Sequence, residues 1–192
     1  MVRIYYGISG TLKMTTIERF EGVKILSANK PYKRISQELL GTSPNDLELG
    51  VFRLVQLENL GKLDPETDYH VERGITDFLE FWTSRPGNEG LRESWEFIEP
   101  WVSLESKLLP GAKKILLRME DQDFISSKVL QDPYRRQVLP DLDTYLKRQE
   151  DYVKFTKTWN RFDQEIIIKD ANQYLMNIEK WIKKECKCSK IE

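Results

Sequence analysis

The chain of 192 residues carries 30 Lys and Arg against 31 Asp and Glu, a formal net charge of -1. That balance argues against a general nucleic-acid binder, because neutralising a run of phosphates takes a clear basic excess; a local basic groove stays open. With 40% hydrophobic and 32% charged residues, the chain can bury a sizeable core and stay in solution as a single domain over 1–192 with at most a small lid. No stretch approaches the roughly 18–20 apolar residues of a membrane span, and the start MVRIYYGISG lacks the apolar run of a secretory signal, so a cytoplasmic protein without a membrane partner is expected. Cys186 and Cys188 stand in the tail CKCSKIE with no nearby His, which is too few ligands for a zinc site; free thiols are expected.

Val2 to Tyr6 is a β-branched and aromatic run ended by Gly7, the pattern of a buried first strand. A loop over 7–13 follows, then a helix from Met14 to Phe20, a short strand from Val23 to Leu26, and a helix from Pro31 to Leu40 stopped by Gly41. Leu47, Val51, Leu54, Val55 and Leu57 give Asp46 to Leu60 a helical period. Asp64-Pro65 marks a turn before a strand at Tyr69 to Val71, and helices are expected over 75–82 and 91–109. Ala112 to Met119 is the clearest interior strand, followed by a helix from Phe124 to Leu130. Asp132 to Arg136 is expected as a basic loop, then a helix from Leu142 to about Phe162, a strand from Glu165 to Lys169 and an amphipathic helix from Ala171 to Lys184. Strands of continuous apolar residues alternating five times with helices imply an α/β fold, a five-stranded parallel sheet covered on both faces.

The stretch that carries chemistry is Gly7-Ile8-Ser9-Gly10-Thr11-Leu12-Lys13-Met14-Thr15-Thr16, between the first strand and the first helix. Glycines let a tight loop turn its amides inward around phosphate oxygens, a Lys at its end reaches the outer phosphates, and a neighbouring hydroxyl holds magnesium. Against G-x-x-x-x-G-K-[ST], Gly7 and Lys13 are in place, while Leu12 replaces the second Gly and Met14 the hydroxyl residue.

Without a gap the loop resembles the thymidylate kinase loop Gly-Ile-Asp-Gly-Ser-Gly-Lys-Thr-Thr, with Gly7, Ile8, Gly10, Lys13 and Thr15 identical. Two further landmarks are similar to that family and to deoxynucleoside kinases. Glu72-Arg73 ends the third strand as their acid–Arg pair does, and Ile168-Lys169-Asp170-Ala171-Asn172-Gln173 resembles the turn beside the donor adenine. The resemblance implies a three-layer P-loop NTPase of the nucleoside and nucleotide kinase type, with a lid at about 131–140, using ATP and Mg2+. It implies a donor site of Gly7, Ser9, Gly10, Thr11, Leu12, Lys13, Met14 and Thr15, with Asp170 and Asn172 toward the base. Lys13, Glu72, Arg73, Arg135 and Arg136 are the implied catalytic set, with Thr15 and Glu72 toward magnesium, partly through water. Thr16 is the alternative hydroxyl should the helix start shift by one residue.

The helix over 47–60 occupies the place where relatives line an acceptor pocket, which makes Phe52, Arg53 and Gln56, with Arg73, the acceptor-binding candidates. An aromatic ring stacks on a base, an amide pairs with its edge, and a guanidinium grips a monophosphate in two hydrogen bonds. His70, the one histidine, lies on an apolar strand and is expected to pack rather than act as a base. Three functions compete: a kinase for a deoxynucleoside or its monophosphate, a kinase acting on a hydroxymethylated pyrimidine within DNA, and a nucleotide-binding module that has lost catalysis through Leu12 and Met14. A source in phage would place the second in host cytoplasm. The sequence leaves the base, the phosphorylation state of the acceptor and the formation of a homodimer open.

Overall fold

Val2–Tyr6 forms β1 with four of its five residues buried, as an apolar strand lying between two covering layers should. The computed structural model of the chain describes residues 1–25, 37–38, 45–60, 62 and 66–178. The helix expected over 31–40 lies outside these residues except for 37–38, as do Leu26, the Asp64-Pro65 turn, the end of the last helix and both cysteines.

In chain order the elements are β1, α1 (Lys13–Glu18), β2 (Val23–Ile25), α2 (Asp46–Leu60), β3 (Tyr69–Glu72), α3 (Ile75–Thr83), a 3-10 turn (Glu89–Leu91) and α4 (Trp95–Leu108). Then come β4 (Lys113–Met119), α5 (Gln122–Phe124) running into a π-helical turn (Ile125–Val129), α6 (Pro133–Val138), α7 (Leu142–Trp159), β5 (Gln164–Ile168) and α8 over 171–178. The five strands pair in parallel in the order β2-β3-β1-β4-β5. The chain leaving β1 crosses toward β2 and the chain leaving β4 crosses the other way, so their loops diverge and open a crevice at the carboxyl ends of the strands.

Two cores hold this together. One lies on the sheet, around Ile4, Tyr5, Val71, Leu116, Leu117 and Ile168. The other lies between helices, where Leu49 and Leu54 of α2, Ile75, Phe78 and Leu79 of α3, Ile98 of α4 and Phe155 of α7 meet. Gly50 lets α2 approach α3: a Cβ there would sit 3.2 Å from Ile75 Cδ1 and 3.5 Å from Phe78 Cβ. His70 packs as expected, its Nδ1 3.0 Å from the Tyr5 hydroxyl, its Nε2 3.1 Å from the Glu21 carbonyl, and its ring on Phe20.

Four local expectations are corrected. The basic loop is a helix, because Pro133 supplies helical φ at the first turn and the Asp132 carboxylate accepts the Arg135 amide at 3.4 Å. The helix expected over 91–109 breaks at 92–94, where the Ser94 hydroxyl accepts the Phe97 amide and starts α4 afresh. The helix at 124–130 begins two residues earlier, capped by Asp121 accepting the Phe124 amide at 2.8 Å. Helix α7 stops at Trp159 because Asn160 turns extended, its side chain tied to Lys114 and to the buried Thr76 hydroxyl. Trp95 is 66% exposed, its ring centroid 5.6 Å from that of Trp159.

Candidate functional site

The loop after β1 is shaped by three residues with positive φ: Gly7 at 146°, Gly10 at 91° and Leu12 at 58°. Leu12 thus takes the left-handed conformation that the glycine of the motif would take, at a cost a side chain ordinarily avoids. Its side chain is half-buried against the sheet core and lines the cleft beside the loop. Gly7 and Gly10 tolerate no Cβ: one would meet Thr11 Oγ1 at 2.6 Å and Leu117 O at 2.7 Å, the other Val129 at 2.7 Å.

A cleft of about 240 Å³ opens beside this loop, lined by residues 9–15 of the loop and the start of α1, by Glu72 and Arg73 at the end of β3, and by Phe124, Lys128, Val129 and Arg135 from the chain after β4. Four cations, Lys13, Arg73, Lys128 and Arg135, face one carboxylate, Glu72, across it. Its volume is below the roughly 300–1,000 Å³ of drug-sized ligand sites, so it fits the charged end of a ligand.

Lys13 is buried, its ammonium donating to the Gly7 carbonyl, to the Ile8 carbonyl at 2.9 Å and, weakly, to Thr11 Oγ1 at 3.5 Å. It therefore braces its own loop from inside. Burial, then the nearby Arg73 charge, lowers its pKa to about 8. Beneath it lies Asp77 of α3, fully buried, with burial raising its pKa to about 6 against the opposing pull of Lys13 and Arg73.

Arg73 also stands at positive φ, 73°, its amide held by the Tyr5 carbonyl at 3.0 Å, its guanidinium 3.8 Å from Glu72 Oε1 and over the Phe81 ring. Arg53 of α2 is 2% exposed and donates through Nη2 to the Glu72 carbonyl at 2.9 Å, which ties α2 to the end of β3. Burial lowers even its pKa, to about 10. Among the described residues, Arg53 Nη1, Gln56 Oε1 and Arg73 Nε are buried without a hydrogen-bond partner. Buried polar atoms in that condition are rare and call for a group that completes them.

The predicted residues therefore divide. Ser9, Gly10, Thr11, Leu12, Lys13, Met14, Thr15, Glu72, Arg73 and Arg135 line one cleft, and Gly7 anchors its loop. Arg53 and Gln56 sit in the α2 helix at its edge without lining it; Phe52, half-buried in α2, also stays outside the lining. Arg136 is exposed outside the lining, as is Asn172, while Asp170 caps α8 by accepting the Gln173 amide at 2.8 Å. Thr16 is spent on packing, its hydroxyl donating to the Leu12 carbonyl and meeting the Tyr174 hydroxyl. Segment 131–140, expected as a lid, holds α6, and Leu139 at its end is buried in the sheet core. Sequence reasoning missed Lys128, which a π-helical turn aims at the cleft, and Asp77, whose signal was a carboxylate on the apolar stripe of α3.

Among the described residues no cluster of three or more His, Cys, Asp or Glu could hold a metal, and no helix is long and apolar enough to cross a membrane. The Glu72 carboxylate and the Thr15 hydroxyl do line the same cleft, a donor pair that suits magnesium when phosphates and water supply the rest of its shell. Compared with known family models and with curated proteins, the chain matches none.

Proposed function

We propose that the chain is a P-loop-type phosphotransferase that moves a phosphoryl group from ATP to a deoxynucleoside or deoxynucleoside monophosphate. The observation that carries this reading is the cleft at the carboxyl edge of the sheet, where the Ser9–Thr15 loop meets Glu72, Arg73, Lys128 and Arg135. Four cations around one carboxylate favour a polyanion, and loops at the ends of parallel strands are where such sheets bind ligands. The strand order β2-β3-β1-β4-β5, with the loop leaving the central strand, supports the same class.

Within this reading the loop amides and Lys13 would hold the donor phosphates, and Arg73, Lys128 and Arg135 would screen charge on the group in transfer. Glu72 and Thr15 are the residues that would hold magnesium, which when bound would neutralise phosphate charge. Glu72 would alternatively accept the proton of an attacking hydroxyl. Arg53 Nη1 and Gln56 Oε1, buried without a hydrogen-bond partner, support an acceptor side between α2 and the end of β3. Incubation with ATP, magnesium and each common deoxynucleoside or its monophosphate should release ADP, and Lys13→Ala should abolish it. Turnover unchanged in Lys13→Ala removes the assignment.

A second reading, a nucleotide-binding module without catalysis, is favoured by two observations. Met14, 46% exposed at the cleft, offers no hydroxyl, and the Lys13 ammonium is committed to Gly7 and Ile8. ATP binding by calorimetry with no turnover on any acceptor decides for it. Transfer of labelled phosphate into DNA bearing hydroxymethylated pyrimidines, and not into free nucleotides, decides for the DNA-directed kinase.

A further inference from the structure

Two turns line the cleft, one after β1 and one after β3, and nothing in the sheet ladder holds them to each other beyond the Arg73 amide. Asp77, the third residue of α3, does. Its Oδ2 accepts the Gly74 amide at 3.1 Å, and its Oδ1 accepts the Tyr152 hydroxyl at 2.7 Å. The same hydroxyl accepts the Gly7 amide at 2.8 Å. Gly7 opens the loop after β1, and Gly74 directly follows Arg73. All of these groups are buried, and Tyr152 reaches them from α7.

We propose that Asp77 is the positioning residue of the cleft: one carboxylate, working directly on Gly74 and through Tyr152 on Gly7, sets the two turns at a fixed separation. A second carboxylate, Glu105, shows what an ordinary brace looks like in the same neighbourhood. It accepts the Tyr6 hydroxyl at 2.7 Å and the Ile75 amide at 2.5 Å, but its charge is neutralised by Lys114 at 3.0 Å. Asp77 has no such private cation; the charges that oppose its burial are Lys13 and Arg73, both of which line the cleft. The two donors meet different oxygens of this buried carboxylate, so in an Asn side chain one of them would face the NH2 group instead of an acceptor.

The consequence for phosphate binding rests on the function proposed above; the latch itself does not. Amide hydrogen exchange and calorimetry with tripolyphosphate separate the two. In Asp77→Asn, exchange at Gly74 or Gly7 should quicken about tenfold, the loss of one hydrogen bond, while the β4 amides of Ile115, Leu116 and Leu117 keep their protection. In Tyr152→Phe the same should hold at Gly7, and in both variants tripolyphosphate should bind about tenfold more weakly than to wild type. Unchanged exchange at both glycines overturns the proposal, as does quickening that extends equally through β4. Local quickening with tripolyphosphate affinity unchanged also overturns it, reducing Asp77 to a brace. Wild-type protein that binds no tripolyphosphate, with the exchange pattern as expected, overturns the phosphate reading instead and leaves the latch standing.

Discussion

Glu80 of α3 and Arg148 of α7 meet fork to fork: Arg148 Nη1 donates to Oε1 and Nη2 to Oε2, with the carboxylate wholly buried. Arg92 Nη1 at 3.2 Å and the Ser84 hydroxyl at 2.9 Å also converge on Oε1, so that oxygen carries three donors and Oε2 one. The pair clamps together the two helices that carry Asp77 and Tyr152.

Removing one partner of such a pair strands a buried charge. Arg148→Ala should cost about 3–5 kcal/mol of stability in denaturant unfolding, since the wholly buried Glu80 carboxylate loses its two-point partner. Arg92 is 27% exposed and screened, so Arg92→Ala should cost less than about 1 kcal/mol. Equal losses in the two variants would mean that the fork geometry contributes nothing.

Leu12 holds a left-handed backbone at φ 58° while packing part of its side chain on the core. Leu12→Gly should relieve about 1 kcal/mol of backbone strain and lose a similar amount of apolar burial, leaving the unfolding midpoint close to wild type. Leu12→Val, β-branched at positive φ, should destabilise by about 2 kcal/mol. A Val variant as stable as the Gly variant would contradict the left-handed assignment.

Gly74 is held for a different reason. Its φ of -93° suits any residue, but a Cβ there would stand 2.1 Å from the Tyr6 hydroxyl and 2.3 Å from the ring. Tyr6 is pinned by Glu105 and cannot swing away. Gly74→Ala should therefore lose about 3 kcal/mol of stability, measurable by thermal or denaturant unfolding, where a surface Gly→Ala change would be neutral.

His70 supplies a pH test with a single probe, because the chain has one histidine. Burial, with Arg3 adding repulsion, lowers its pKa from 6.5 to about 4. The folded state thus holds fewer protons than the unfolded chain between these values. The stability this contributes is present above pH 6.5 and is lost as pH falls toward 4, up to about 3 kcal/mol. The imidazole resonance in a proton NMR titration should stay flat through pH 6.5 and move only near 4; a midpoint near 6.5 would refute the buried, neutral ring.

The elements most legible in the sequence were those whose pattern is local. Five strands appeared as short apolar runs, and α2 was bounded at Asp46 and Leu60 by its own period. The parallel sheet followed from the alternation of strands and helices. The loop from Gly7 to Lys13 was legible for the same reason, since backbone demands for glycine act within a few residues. Where α4 and α7 begin or end depended instead on caps: Ser94, and Asn160 reaching Lys114 and Thr76, which are distant in sequence and near in space.

Residue types along the chain determined by themselves that strands alternate with helices, that the first strand opens into a glycine-bearing turn with a lysine at its end, and that the one histidine belongs to the interior. Only the folded arrangement decided which charges meet. Lys128 and Asp77 come from elements more than a hundred and more than sixty positions beyond that turn, and Arg53 meets the Glu72 carbonyl only because α2 packs across the end of β3. The reason is physical: hydrogen-bonding period and turn preference are set by neighbours along the chain, whereas the sign and burial of a site are set by whichever side chains the crossovers bring together.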